Sequence, residues 1–261
     1  MAKTLMFCSL LMLIITAAKA ADPALVLYLS LDEGKGDTVK DLSGNGNNGT
    51  LEDGPKWVDG KFGKALEFSE GNRVYMPASK SLHGDIFKGE FTLLAWVKPI
   101  PGGNQWGHIW RSVDGNDATQ CTLFYNSGNF VSWRGQLDGT WAERCVSLAG
   151  TVIAEEWTYV AVVGDKNEFK IYANGEEAAA WPFVEMDGDI TDYYLGYDDR
   201  RTWSEWFTGA IDEVYILTRA MTADEIKAGL EGPMMQIISV RPAGKLAVTW
   251  GRVRLAVSYA K

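Results

Sequence analysis

The sequence predicts an all-β fold, a sandwich or barrel of short strands, with one short C-terminal helix. Three observations carry this. Short apolar or alternating segments recur along the chain, separated by turns rich in Gly, Asn and Asp. Glycine (28), tryptophan (11), tyrosine (10) and phenylalanine (10) are plentiful, as strands and tight turns require. A single segment, beginning at residue 222, carries convincing helix signals. With 261 residues and 46% hydrophobic side chains, there is material for a large core.

The first twenty residues stand apart. Lys3 supplies a positive charge, Leu5 to Ala18 is an apolar run broken by Cys8, Ser9 and Thr16, and Ala18-Lys19-Ala20 fits a small-x-small cleavage site. This reads as a secretory signal peptide, its apolar run too short for comfortable spanning. The expected location is secreted or extracytoplasmic, in the periplasm or at the cell surface, with no membrane span in the mature chain. Lys3 and Lys19 leave with the leader, taking 25 basic side chains to 23 against 34 acids, and the formal charge from −9 to −11. Such acidity speaks against nucleic acid and anionic lipid as partners. Export also leaves Cys121 and Cys145 as a pair. In an oxidising compartment a disulfide is expected, closing a loop of about 25 residues worth about 3 kcal/mol.

Residues 25–31, Leu-Val-Leu-Tyr-Leu-Ser-Leu, form the first expected strand, apolar on both faces. The Gly- and Asn-rich stretches 32–36 and 41–50 follow as irregular turns. Strands are expected at 65–69 and 73–76, then at 90–98, 107–113, 120–126 and 129–134. Those at 157–163, 168–173 and 176–181 come next, with Asn174-Gly175 as a type I′ hairpin signal between the last two. Runs at 192–197 and 207–217 complete the set. Thr222-Ala223-Asp224-Glu225 is a capping box opening the helix; Ile226 and Leu230 can face the sandwich, and Gly232-Pro233 stops it. The domain is expected over 21–231. Residues 232–261, basic and free of acids after Pro233, read as an appended tail or hairpin.

Several ordered motifs together resemble a known family. Leu31-Asp32-Glu33-Gly34, Asp41-Leu42-Ser43-Gly44-Asn45-Gly46-Asn47-Asn48-Gly49-Thr50 and Trp57-Val58-Asp59-Gly60-Lys61-Phe62-Gly63 look like the opening of bacterial laminin G-like (concanavalin A-like lectin/glucanase) jelly-roll domains. Phe91–Pro99, Trp157–Val162, Ile171–Gly175 and Phe207–Ile216 match later strands, and Arg219–Thr222 the closing turn. The resemblance covers roughly residues 24–231 and implies two antiparallel sheets face to face. It also implies a calcium site, for which Asp41, Asn45 and Asn48 are the first candidates and Asp32 and Asp212 the weaker ones. Calcium takes six to eight oxygens, and the loop 41–50 supplies carboxylate, amide and carbonyl groups. The same loop could equally be a turn held by side-chain-to-backbone bonds.

Catalytic signatures are lacking in the sequence: two histidines, His83 and His108, remain after export, with no nucleophile elbow, P-loop or dinucleotide fingerprint. The best enzymatic candidate, Glu185-Met186-Asp187-Gly188-Asp189, is interrupted by glycine and reads as an acidic loop rather than a glycosidase pair. The expected function is a non-catalytic binding module recognising carbohydrate or an extracellular protein ligand; the alternatives are a protein-interaction or surface-display module and, behind that, a sandwich-fold glycoside hydrolase. Candidate ligand-binding residues are the aromatics in polar loops and their basic neighbours: Trp106, Trp141, Trp203, Trp206, Arg200 and Arg201. Sugars stack apolar CH faces on such rings and bond their hydroxyls to nearby polar groups. Trp57, Trp96 and Trp157 are assigned to the core or its packing.

Overall fold

A computed structural model describes residues 22–102, 105–116, 118–186, 189–197 and 205–234. The expected leader, Asp187, Arg200, Arg201, Trp203 and the tail from 235 lie outside the described residues.

The sandwich is borne out: two antiparallel sheets of eight strands each. The chain opens with β1 (Leu25–Leu29), β2 (Thr38–Val39), β3 (Gly49–Glu52), β4 (Lys56–Asp59), β5 (Lys64–Phe68) and β6 (Arg73–Pro77). After a 3-10 turn at Gly84–Lys88 come β7 (Phe91–Pro99), β8 (Trp106–Val113), β9 (Thr119–Asn126), β10 (Phe130–Leu137) and β11 (Thr140–Val146). Then follow β12 (Thr158–Gly164), β13 (Glu168–Ala173), β14 (Glu176–Pro182), β15 (Asp192–Leu195), β16 (Gly209–Leu217) and the helix α1 (Ala223–Ala228).

The first sheet runs β14-β13-β12-β7-β16-β5-β4, with β1 sharing the β5 edge of β16; the second runs β11-β10-β9-β8-β15-β6-β3-β2. Between them lies one apolar layer, including Phe91, Leu93, Trp110, Leu123, Trp133, Val160, Phe169 and Tyr193. β7, β12 and β16 are buried on both faces, which is why their sequences read as near-continuous apolar runs. Their outer face carries a second cluster, Tyr28, Leu94, Trp96, Tyr159 and Tyr215, onto which α1 folds Ile226. Met234 is buried in that cluster too, so packing continues three residues past the expected domain end.

Local signals act as expected at two turns. Asn174 and Gly175 have φ of 48° and 81°, the left-handed pair that a type I′ hairpin needs. The Thr222 hydroxyl accepts the Glu225 amide at 3.3 Å and Glu225 Oε2 accepts the Thr222 amide at 2.9 Å, closing the capping box. The helix ends at Ala228, short of Gly232-Pro233: Gly229, Leu230 and Glu231 turn instead on i→i−3 bonds to Ile226 O, Lys227 O and Ala228 O.

One expectation is corrected. Cys121 and Cys145 are both free and buried. They stand on β9 and β11 with β10 between, opposite Gly135 and Trp133 respectively. Two strand spacings put the backbones roughly 9–10 Å apart, beyond the roughly 7 Å that a disulfide bridges. Burial pushes both thiols up to about 12, making them inert. A thiol reagent is therefore expected to find no reactive cysteine in the folded mature domain and two after denaturation, with a melting temperature indifferent to reductant. A melting temperature that falls in reductant would restore the bridge.

Candidate functional site

Alternation along β8–β11 decides what the second sheet shows outward. Cys121, Leu123, Val131 and Trp133 enter the core, so Gln120, Thr122, Phe124, Arg134 and Gln136 occupy the opposite face. At one end of this face Arg134 lies 4.1 Å from the Trp106 ring centroid and donates to Glu143 Oε1 at 2.6 Å. Phe124 and Phe130 meet the same ring edge-to-face at 5.9 and 6.0 Å. His108, fully buried, joins Thr122 Oγ1 through Nδ1 at 2.7 Å and Glu205 Oε2 through Nε2 at 3.3 Å, and Trp206 bridges to it along the backbone.

The expected sites thus sort themselves. Trp106 begins β8 and has one face stacked by Arg134. Trp141 is on a strand rather than a loop: Asp138 and Gly139, at φ of 51° and 69°, make the turn and place Trp141 in β11 opposite Gln136. Trp206 is half-buried beside His108. Arg134, Glu143, Gln120 and Gln136 were missed, because polar residues alternating along a strand look like any solvent face; the signal was that alternation beside two loop tryptophans.

The far end of the face opens into a pocket of about 590 Å³. Gln120 and Gln136 come from β9 and β10, Asp114 from the turn after β8, Lys88 from the 3-10 turn, and Glu185 and Asp189 from the irregular segment after β14. The groups are preset. Asp114 Oδ1 accepts the amides of Asn116 (2.8 Å) and Ala118 (3.0 Å) while Oδ2 accepts Gln120 Nε2 at 3.1 Å; Gln136 Nε2 donates to Thr119 O at 2.8 Å. The two amide oxygens are what remain for a ligand. Lys88 is held up in pKa first by Asp85, then by Asp189 and Glu185. Such a pocket is rich in acceptors with one strong donor, suited to a ligand carrying many hydroxyls.

The five calcium candidates fall into two groups. Asp41 accepts the amides of Tyr28 (3.1 Å), Ser43 (2.9 Å) and Asn47 (2.9 Å). Asn48 Oδ1 accepts the Asp41 amide at 2.9 Å, and Asn45 Nδ2 donates to Leu25 O and Val26 O at 3.0 and 3.1 Å. Asp41 and Asn45 clip the loop to β1, Asn48 closes the loop on Asp41, and the three do not fit a metal: Asp41 and Asn48 spend their oxygens on amides, and Asn45 turns its nitrogen inward. Asp32 and Asp212 instead hold the turn before β5, accepting Lys64 N at 2.7 Å and Phe62 N at 3.0 Å. Asp212 Oδ1 is buried with no hydrogen-bond partner. Burial, with Glu213 and Asp32 nearby, pushes Asp212 up to about 8; burial likewise pushes Glu213 up to about 7. The two lysines of this turn are engaged elsewhere, Lys61 over the Trp96 ring at 4.2 Å and Lys64 on Asp59 at 2.7 Å, so the repulsion among the three acids would be relieved by a cation. Among the described residues no three acidic, His or Cys groups converge on one, so carbonyls or water would complete the shell.

A two-sheet jelly roll with a polar pocket at the end of one sheet defines a lectin-like β-sandwich. The chain belongs to the concanavalin A-like lectin/glucanases superfamily, whose profile matches residues 68–227. No curated protein matches it. Solved structures share the fold at low identity. The binding domain of Paraclostridial Mosquitocidal Protein 1 is 18% identical with a TM-score of 0.64, covering 79% of this chain and 52% of that one. Domain 4 of AbnA, a GH43 extracellular arabinanase from Geobacillus stearothermophilus in complex with arabinotriose, is 20% identical at 0.60, covering 78% and 97%. Trypanosoma rangeli sialidase is 14% identical at 0.62, covering 84% and 34%. The chain thus spans about half the length of the toxin domain and a third of the sialidase.

Proposed function

We propose that the chain is an exported, non-catalytic module that binds a neutral saccharide in the pocket of Gln120, Gln136, Glu185 and Asp189, with Trp141 beside Gln136 as the stacking neighbour. The pocket carries this reading: about 590 Å³ lies within the usual range for small ligands, and its wall is hydrogen-bonding side chains with Leu137 and Met186 as the apolar part. Arabinotriose bound to the similar AbnA domain supports the ligand class, and the toxin binding domain supports the absence of catalysis. Glu185 and Asp189 stand exposed on an irregular segment, which favours hydrogen bonding over a rigid acid–base pair. The composition of residues 1–20 supports export. Calcium belongs to the proposal as a structural ion at Asp212 and Asp32.

Calorimetric titration with arabinotriose and a panel of neutral oligosaccharides tests the reading. Gln136→Ala and Glu185→Gln are each expected to weaken binding about tenfold, the effect of one hydrogen bond to a charged or preset group. Silence across the panel, or binding indifferent to both variants, rejects the pocket.

A further inference from the structure

The opposite sheet carries an independent groove. Strand register places Glu67 of β5, Ala210 of β16 and Lys98 of β7 side by side. Trp157 follows next in the row, since its neighbour Thr158 pairs with Val97. All four lie on the outer face of the first sheet, the face opposite the main core. Ala210 has a single methyl, so the row sinks at its centre. The depression measures about 310 Å³, walled by Glu67, Lys98, Glu155, Ile100 and Trp157. Trp157 packs against the edge of the second apolar cluster, as its motif implied, and being half-buried it also walls the groove.

The polar side chains here are idle. Glu67, Lys98 and Glu155 make no side-chain hydrogen bond or ion pair among the described residues, whereas Asp59 at the rim is engaged by Lys64 at 2.7 Å. Glu155 is held in place by its own backbone: it sits at φ 64° with its amide on Pro99 O at 2.7 Å. A non-glycine residue in that conformation costs about 1 kcal/mol or more and marks a fixed position.

We infer that this groove is a second saccharide-binding site, taking one neutral sugar unit. The Trp157 ring offers an apolar face to sugar CH groups. The carboxylates of Glu67 and Glu155 would accept hydroxyl protons, and the Lys98 ammonium would donate to a hydroxyl or ring oxygen. Two carboxylates against one ammonium disfavour an anionic ligand. The site shares its ligand class with the pocket on the second sheet but none of its residues, so each can fail alone. A chain with both would bind a polysaccharide at two points, raising avidity without new contacts.

Heteronuclear NMR on the mature chain tests this, with methyl glucopyranoside, methyl galactopyranoside and arabinotriose as probes in the millimolar range. The expected result is a saturable shift of the Trp157 indole N–H and the Lys98 amide. Lys98→Ala and Glu67→Gln, half-buried positions whose side chains hold no hydrogen bond or ion pair among the described residues, should weaken it about tenfold while leaving the melting temperature within a few degrees of wild type. Gln136→Ala should leave it unchanged. No saturable shift at Trp157, an affinity indifferent to Lys98→Ala and Glu67→Gln, or loss of all binding in Gln136→Ala overturns the second site; the last of these keeps the first pocket.

Discussion

In chelator, the domain is expected to lose stability steadily as pH rises from about 4 to about 8. Asp212 is the main cause. Its carboxyl titrates near 8 in the fold, because burial penalises its charge, and near 4 in the unfolded chain. Over that window the native state keeps a proton the unfolded state has given up, so raising pH favours unfolding. Below the window both states are protonated and the contribution is complete; above it the contribution is gone. Glu213, raised to about 7, adds in the same direction. The upper bound for Asp212 is about 5 kcal/mol; a fall in melting temperature of about 10 °C between pH 5 and pH 9 is expected. Asp212→Asn removes the charge and should flatten the profile, making the variant the more stable protein at pH 9 in chelator. Millimolar calcium should reverse the order: it restores the wild type at pH 8 more than at pH 5, because ion and proton compete, and it does nothing for the variant. A wild-type melting temperature at pH 8 that ignores calcium removes the metal from the proposal and leaves the buried acid.

Gly209→Ala is expected to cost about 3–5 kcal/mol, overpacking and backbone strain together, and to lower the melting temperature by about 10 °C, read by thermal unfolding. Gly209 has φ 145° at the start of β16, where β16 joins both β5 and β7. A Cβ there would collide with Lys98 O and stand 2.8 Å from Pro99 Cα. Both are backbone atoms of a central strand and cannot rotate aside. Gly54 is the control: φ is 75°, but nothing lies within 4 Å of its added Cβ. Gly54→Ala should cost only the conformational penalty, about 1 kcal/mol. Equal losses at the two positions would mean that close approach contributes nothing at Gly209.

What the sequence displayed and what it hid follow from burial. β7 and β12 were legible because nine and seven successive residues are buried or nearly so. β13 and β14 were legible because Asn174-Gly175 fixes their turn. β2, β3 and β4 were hidden: they are two to four residues long, sit among turns and bury little. β11 was hidden because Trp141, Ala142, Glu143 and Arg144 are all half-exposed and carry no alternation. The site was legible in kind, as aromatics among polar groups, but less so in position. Lys88, Asp114, Gln136 and Glu185 are scattered over almost a hundred residues and meet only through tertiary folding. The disulfide failed for the same reason: parity of cysteines says nothing about an intervening strand.

The pairing of the first and last strands makes the two ends of the framework depend on each other. Leu25 lies opposite Leu217, and Asp22 is tied to Arg219 at 2.8 Å, so the first and last strands meet at one corner, from which α1 carries the chain on to Met234 in the outer cluster. Trimming the chain at either side of that corner would therefore strip a hydrogen-bonded neighbour from the same sheet, β1 from β16 or β16 from β1, β5 and β7.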